Sequence, residues 1–140
     1  MDDAAAIQQL INRYTDGCNR ADWDQVLATF TADGVWEIAS SGMRISGHEH
    51  IRAAMAGFVA GFDYFVQLNT PAVISLDGQR ATAQSTIREC GKYKGRNEAL
   101  EVLGSYIDEL VLTADGWRFA LRSFHSYGLH TFALTSVGKV

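Results

Sequence analysis

The chain has 140 residues and a mass of 15.4 kDa, which suits a single domain spanning residues 1–140. Apolar residues make up 47% and charged residues 20%, as in a globular protein that builds its own core. The net charge of −4 argues against non-specific nucleic-acid binding, and no apolar run approaches the roughly 20 residues of a membrane helix. The acidic start lacks a signal peptide's basic charge, so we expect a cytoplasmic protein in which Cys18 and Cys90 are buried thiols.

The first half of the chain has the periodicity of helices. The apolar residues spaced for one face of a first helix are Ile7, Leu10, Ile11, Tyr14 and Cys18. Asp22, with Gln25 three residues later, is an N-cap pattern that predicts a short second helix. Residues 35–40 and 43–45 read as two short strands. The run Ser46-Gly47-His48-Glu49 has the pattern of a capping box and predicts the start of a third helix.

The second half of the chain reads as four long antiparallel strands. They are predicted over residues 64–76, 80–93, 100–113 and 117–131, with Pro71 marking a bulge or an edge inside the first. Three helices cover only one face of such a sheet, so the expected fold is α+β, with a cone-shaped curved sheet wrapped around helices. A cone of this kind leaves a cavity at its open end.

Six short motifs, spread over nearly the whole chain, resemble the SnoaL-like branch of the nuclear-transport-factor-2-like superfamily. They are Arg13-Tyr14 and the segments 20–24, 30–36, 47–51, 104–108 and 115–119. The resemblance implies a cystatin-like α+β barrel. The superfamily includes polyketide cyclases, dehydratases, dehydrochlorinases, epoxide hydrolases, ketosteroid isomerases and non-enzymatic binding proteins, so the fold alone does not determine an activity.

The resemblance also implies that a familiar catalytic pair is missing. Members similar to scytalone dehydratase or the dehydrochlorinases use an aspartate before the second helix to orient a histidine in the first long strand, and this histidine acts as general base. The corresponding positions here are Asn19 and Phe65, neither of which can transfer a proton. We therefore expect these two side chains to lie close together at the cavity, without the usual base for elimination.

Strand parity suggests other bases, because alternate residues of a strand face opposite sides of a sheet. Glu89 shares the parity of the small residues of its strand and would reach the cavity mouth, unless it lies in water beside a surface lysine. The resemblance places Tyr106 and Asp108 inside the cone. Burial would raise the pKa of Asp108 and suit it to act as a general base. The alternative is a structural aspartate bonded to Arg122.

The last strand carries two further candidates, Arg122 and His125. The resemblance gives Arg122 a cavity position, where its guanidinium would bind a carboxylate or an enolate oxygen. His125 is the histidine best placed to line the cavity as a base, and the alternative is a structural or exposed histidine. Both face inward only if a bulge separates them. We expect Arg122 to lie near Asp108 or Glu89, with Tyr106 close enough to share a ligand oxygen.

A metal or a bound cofactor is not expected. His48 and His50 have a spacing found in metal sites, but residues two apart in the first turn of a helix do not share a face. His130 is expected to be exposed. The sequence has no glycine-rich phosphate loop and no nucleophile elbow, which removes nucleotide cofactors and serine hydrolases as leading interpretations.

The expected cavity is mostly aromatic and suits a small, flat, largely apolar ligand with one or two oxygens. Candidates for its lining are Tyr14, Trp23, Trp36, Met55, Phe58, Phe65 and Tyr106, with Asn19, Gln67 and Asn69 as polar contacts. The alternative is that most of the aromatic residues simply fill the core.

The leading functional hypothesis is a cofactor-independent lyase, isomerase or cyclase that acts by proton transfer on a small cyclic or aromatic substrate. Asp108, His125 or Glu89 would be the base, and Tyr106 and Arg122 would bind the oxyanion. The alternatives are an epoxide hydrolase that uses Arg88 or Arg122 with a carboxylate, and a non-catalytic ligand-binding protein.

The sequence also suggests how the protein assembles. Ile107 and Val111 fall on the sheet face that the helices leave uncovered. An exposed apolar sheet face is usually an interface, so they predict a symmetric homodimer packed through the sheets.

Overall fold

The first helix forms as its periodicity predicts. In the computed structural model, which describes residues 2–135, helix α1 spans Asp3–Arg20 and buries Ile7, Leu10, Ile11 and Tyr14. The Asp2 carboxylate accepts a hydrogen bond from the backbone N–H of Ala5 and caps the helix. Because Tyr14 lies on the buried stripe, α1 delivers a phenol to the interior of the sheet.

The next two helices differ in how they begin. Helix α2 spans Trp23–Leu27, and the Asp22 carboxylate accepts a hydrogen bond from Gln25 N, which confirms the predicted N-cap. Helix α3 spans His48–Val59 and has no side-chain cap. The predicted capping box is wrong, because Ser46 belongs to a strand and the N-cap is Gly47, whose φ of 86° favours glycine.

Seven strands form one curved, mixed sheet, in agreement with the predicted α+β class. They are β1 Phe30–Ile38, β2 Met43–Ser46, β3 Phe62–Asn69, β4 Val73–Asp77, β5 Arg80–Tyr93, β6 Glu98–Thr113 and β7 Gly116–Ala133. The spatial order is β2-β1-β7-β6-β5-β3, with β4 pairing beside β3 on β5. Strands β1 and β7 are parallel and the other pairs are antiparallel.

Two predicted strand boundaries need correction. The strand predicted over 64–76 is two strands, because Pro71 has no N–H for a ladder and lies in the link between β3 and β4. The strand predicted over 35–40 is β1, which begins earlier, at Phe30, and ends at Ile38, and its pairing with β7 is irregular between Phe30 and Val35. Strand β5 spans Arg80–Tyr93, the range that the sequence predicts for it.

A bulge between β6 and β7 reshapes the concave face of the sheet. Gly104 pairs with Ser126 but Leu103 pairs with Gly128, so Tyr127 has no partner opposite it. A Cβ at position 104 would lie 2.5 Å from the carbonyl oxygen of His125, so only glycine permits this close approach. The extra residue resets the parity of β7 beyond the bulge.

The helices cover the concave face of the sheet, and the opposite, convex face is left open. Ile107 on that face is 40% exposed, and Val111 is partly buried. No helix within residues 2–135 is both long enough and apolar enough to cross a membrane.

Candidate ligand pocket

A cavity of about 510 Å³ lies between the helices and the concave face of the sheet. The predicted residues that line it are Tyr14, Trp23, Trp36, Met55, Phe58, Phe65, Gln67, Glu89 and Tyr106. Sequence reasoning missed others, among them Cys18, Leu100, Val102, Phe124, Ser126 and Leu129. Leu100 and Val102 share the parity of Tyr106 and could have been predicted. Ser126 and Leu129 differ in parity, so they both face the cavity only because of the bulge at Tyr127.

Glu89 brings a carboxyl group into this largely apolar wall. One register row crosses the sheet through Gln67, Glu89, Val102 and Leu129, and all four residues line the cavity. Glu89 is partly buried, and no hydrogen bond or salt bridge ties it to another residue of the described chain. Burial raises the pKa of Glu89 to about 7, and the positive charge of Arg122 opposes this rise.

Two phenol groups form a hydrogen-bonded pair at the inner end of the cavity. The hydroxyl oxygens of Tyr14 and Tyr106 are 3.1 Å apart, and either can be the donor. Burial raises the pKa of both tyrosines, and the charge of Glu89 raises that of Tyr106 further, so both hydroxyls stay protonated near neutral pH. Since the link uses one proton, the other hydroxyl has a proton to donate to a ligand oxygen.

Other polar atoms on the cavity wall are also unpaired. Trp36 Nε1 and Gln67 Oε1 are buried without a hydrogen-bond partner. A buried donor or acceptor without a partner is costly, which is typical of sites where a ligand completes the bonding.

Arg122 and Asp108 form a buried ion pair beneath the cavity. Arg122 Nε lies 3.2 Å from Asp108 Oδ1, and neither side chain is exposed. The predicted proximity of Arg122 to Asp108 is therefore confirmed. The expectation that they contact a ligand is wrong, because neither residue lines the cavity. Burial raises the pKa of Asp108 to about 6 against the opposing charge of Arg122.

Aromatic rings separate this ion pair from the cavity. The guanidinium carbon of Arg122 lies 3.8 Å from the ring centre of Tyr106, 4.2 Å from that of Tyr14 and 4.6 Å from that of Phe119. Such stacking stabilises a buried guanidinium through cation–π attraction.

His125 lies on the convex face, so its assignment as a cavity base is wrong. Arg122 and Phe124 face inward, which turns Ser123 and His125 outward, and the bulge at Tyr127 comes too late to change this. Ser123 Oγ donates to Glu37 at 2.7 Å and lies 3.0 Å from His125 Nε2. The serine proton therefore points to Glu37, and the histidine does not activate the hydroxyl as a nucleophile.

The expected meeting of Asn19 and Phe65 inside the cavity is also wrong. Phe65 lines the cavity, but the Asn19 side chain is exposed and pairs with the edge of β3. Its Nδ2 donates to Gln67 O at 3.0 Å, and its Oδ1 accepts from Gln67 N at 2.7 Å. The side-chain amide thus replaces a missing neighbouring strand. Asn69 is partly buried further along β3 and does not line the cavity.

Replacing Asn19 with Asp should destabilise the protein, even though it restores the acid found in related enzymes. A carboxylate cannot donate to Gln67 O and would add a negative charge near the carboxyl end of α1, which we expect to cost about 1–2 kcal/mol. Urea unfolding measures this change. Asn12→Asp on the exposed face of α1 is the control, because Asn12 Oδ1 only accepts, from Gln8. Equal stability of the Asn19 variant and wild type would contradict this role.

The histidines of α3 and the two cysteines provide no metal site among residues 2–135. His48 Nε2 lies 3.0 Å from Thr31 O, and His50 Nδ1 lies 3.1 Å from Ser46 O, so backbone carbonyls engage both rings. Between residues 2 and 135, no group of three or more potential ligand side chains is placed to hold a metal ion. Cys18 and Cys90 are free and only partly buried, and burial raises the pKa of the Cys18 thiol to about 12.

The arginines required by the epoxide hydrolase alternative do not reach the cavity. Arg88 lies on the convex side, where its Nε donates to Glu101 Oε2 at 2.6 Å. Arg122 is enclosed by the tyrosine rings. The geometry therefore does not support this alternative.

The fold and the cavity match a known family. The model of the SnoaL-like domain matches residues 1–123. The chain belongs to this family. A comparison with curated protein sequences finds no match. The chain shares its α+β fold with a Nostoc punctiforme protein described as having a cystatin-like fold, which is 18% identical, with 87% of this chain and 89% of the other covered and a TM-score of 0.71.

Solved structures agree with this membership. A Novosphingobium aromaticivorans protein provisionally described as an aromatic ring hydroxylase is 25% identical, with 93% of each chain covered and a TM-score of 0.84. A second protein from that organism, provisionally described as a scytalone dehydratase, is 18% identical, with 97% of this chain and 93% of the other covered and a TM-score of 0.81. The hexachlorocyclohexane dehydrochlorinase LinA-type3 of Novosphingobium barchaimii is 16% identical, with 97% and 92% covered and a TM-score of 0.81.

Proposed function

We propose that this SnoaL-like protein is a cofactor-independent lyase or isomerase that transfers a proton on a small, flat, largely apolar substrate. The observation that carries the proposal is the Glu89 carboxyl, which faces an apolar cavity without any partner in the described chain. A carboxyl kept without a partner in such a place costs folding energy, and active sites are where such groups concentrate.

Glu89 has the acid–base character that a proton transfer needs. With a pKa of about 7, it divides between its two protonation states near neutral pH, so it can take a proton and return it. In the proposed step Glu89 removes a proton from a carbon next to a carbonyl group, and the electron pair of the C–H bond moves to form an enolate. The proton then returns at another carbon, or a leaving group departs from the β-carbon.

The tyrosine pair would stabilise the enolate. Its free hydroxyl proton is available for the developing oxyanion, and the hydrogen bond between Tyr14 and Tyr106 holds the two hydroxyl groups in place. The helix side of the cavity is apolar, with Trp23, Met55 and Phe58, and suits the flat face of a ring.

The proposed reaction class agrees with the names of two similar structures, a protein provisionally described as a scytalone dehydratase and a dehydrochlorinase. Both names describe enzymes that catalyse eliminations. The resemblance assigns the acid and the base of such enzymes to Asn19 and Phe65, but Asn19 lies outside the cavity and Phe65 cannot accept a proton. Glu89, on the strand that pairs with β3, would supply the base from another position.

Deuterium exchange tests the proposal without knowledge of the natural substrate. The protein is incubated in D2O with flat ketones such as 2-tetralone, and mass spectrometry follows deuterium entering the carbon-bound positions next to the carbonyl. We expect faster incorporation than in protein-free buffer. Ketones that bind in the cavity but gain no deuterium would contradict proton transfer.

The second candidate is a non-catalytic ligand-binding protein, which is favoured because no histidine is among the described residues that line the cavity. Native mass spectrometry of the purified protein separates the two functions. A binding protein would release a bound small molecule unchanged, whereas an enzyme would convert it when excess is added.

The open sheet face supports the proposal of a homodimer. Three apolar side chains on this face, Leu68, Leu103 and Ile107, are 62%, 42% and 40% exposed. We expect light scattering to give about twice the chain mass of 15.4 kDa, and Ile107→Glu to shift the protein toward monomer. A wild-type protein that is monomeric at micromolar concentration would contradict this assembly.

A further inference from the structure

The buried ion pair of Arg122 and Asp108 is oriented with respect to the cavity. The guanidinium is stacked against the rings of Tyr106 and Tyr14, at 3.8 and 4.2 Å, and these two residues line the cavity on their other side. Asp108 lies on the neighbouring strand β6, directly opposite Arg122 in the register. The pair is therefore a dipole whose positive end faces the tyrosine pair.

We propose that Arg122 is a positioning residue, which acts on the cavity through the rings of Tyr14 and Tyr106 and sets the charge state of Glu89 without touching the ligand. The inference rests on the proposed role of Glu89 in proton transfer and adds the group that adjusts it. A fully buried cation acts over a longer range than a surface one, because little water lies between it and its neighbours.

Among residues 2–135, Arg122 is the cation whose charge acts on Glu89. The titratable groups around the cavity are Tyr14 and Cys18 from α1, Glu89 from β5, and Tyr106 from β6. Asp108 lies beneath the cavity, paired with Arg122. The residues that α2, α3 and β3 contribute to the lining are uncharged. The charge of Arg122 lowers the pKa of Glu89, Tyr14, Tyr106 and Cys18 alike, against the effect of burial.

The test removes the ion pair and measures how the Glu89 carboxyl group titrates with pH, from its ¹³C chemical shift. The carboxyl signal is assigned to Glu89 because it disappears in Glu89→Gln. In wild type we expect the midpoint of the Glu89 titration near pH 7. In Asp108→Leu/Arg122→Met, an apolar replacement of both partners, the midpoint should rise by about one pH unit. A loosened core would admit water and lower the midpoint, so a rise separates the electrostatic role from a merely structural one.

A matched control uses an ion pair on the other face of the same strand. Arg88→Met/Glu101→Leu removes a pair next to Glu89 in sequence but on the convex face, where the Arg88 side chain is 55% exposed and that of Glu101 13%. It should leave the titration midpoint of Glu89 unchanged. If the apolar core pair does not fold, the neutral polar pair Asp108→Asn/Arg122→Gln is measured, with the same expected rise.

A folded core variant whose Glu89 midpoint stays the same or falls would overturn the inference. The titration is measured without substrate, so this failure is distinct from failure of the proposed function. Absence of Glu89-dependent deuterium exchange, with a raised midpoint in the core variant, would instead reject the function and keep the electrostatic link.

Discussion

Glu89→Gln should reduce the protein-dependent deuterium exchange of a bound ketone by about 10²–10⁴-fold, the usual contribution of a general base. Glutamine has nearly the same shape and preserves the cavity wall, but it cannot accept the proton. Binding of the ketone should change little, because the apolar walls and the tyrosine pair remain. Isothermal titration measures the binding, and mass spectrometry measures the exchange.

The pH dependence of the exchange adds a second requirement. Because the carboxylate form is the base, the rate in wild type should rise with pH and level off above about 7. Glu109→Gln is the matched control, since Glu109 is exposed on the convex side of the neighbouring strand. Wild-type exchange in Glu89→Gln, or a pH profile that does not depend on Glu89, would remove this residue from the mechanism.

Arg122→Met alone should destabilise the fold by about 3–5 kcal/mol, because it leaves Asp108 buried without its counter-ion. Single domains are stable by roughly 5–15 kcal/mol, so this variant should lie close to unfolding at 25 °C. Urea unfolding measures the loss, and Asp108→Leu combined with Arg122→Met should recover most of it.

Arg44→Met is the surface comparison for this prediction. Arg44 also pairs with a carboxylate, Glu37, but its side chain is 58% exposed, so its loss should cost less than about 1 kcal/mol. A similar cost for both variants would mean that the Arg122 pair contributes no more than a surface ion pair.

Local patterns in the sequence determined most of the fold. The spacing of Ile7, Leu10 and Tyr14 requires one buried helix face, and Asp22 caps the next helix as its side chain allows. Strand parity placed Glu89 on the concave face, since alternation along a regular strand needs no knowledge of the neighbours, and the resemblance placed Tyr106 there. The same parity showed that Arg122 and His125 cannot both face inward without a bulge.

The composition of the site was decided by tertiary structure. Parity gives the face of a sheet but not the depth, so it could not show that the ring of Tyr14, from a distant helix, covers Arg122. Asn19 leaves the cavity because β3 is an edge strand with free backbone groups, and Leu129 enters it because of the bulge at Tyr127. Each of these outcomes depends on contacts between segments far apart in the chain. By contrast, the repeat of buried positions along a helix or strand depends only on the geometry of that element, so the sequence alone was sufficient to predict which residues share a face.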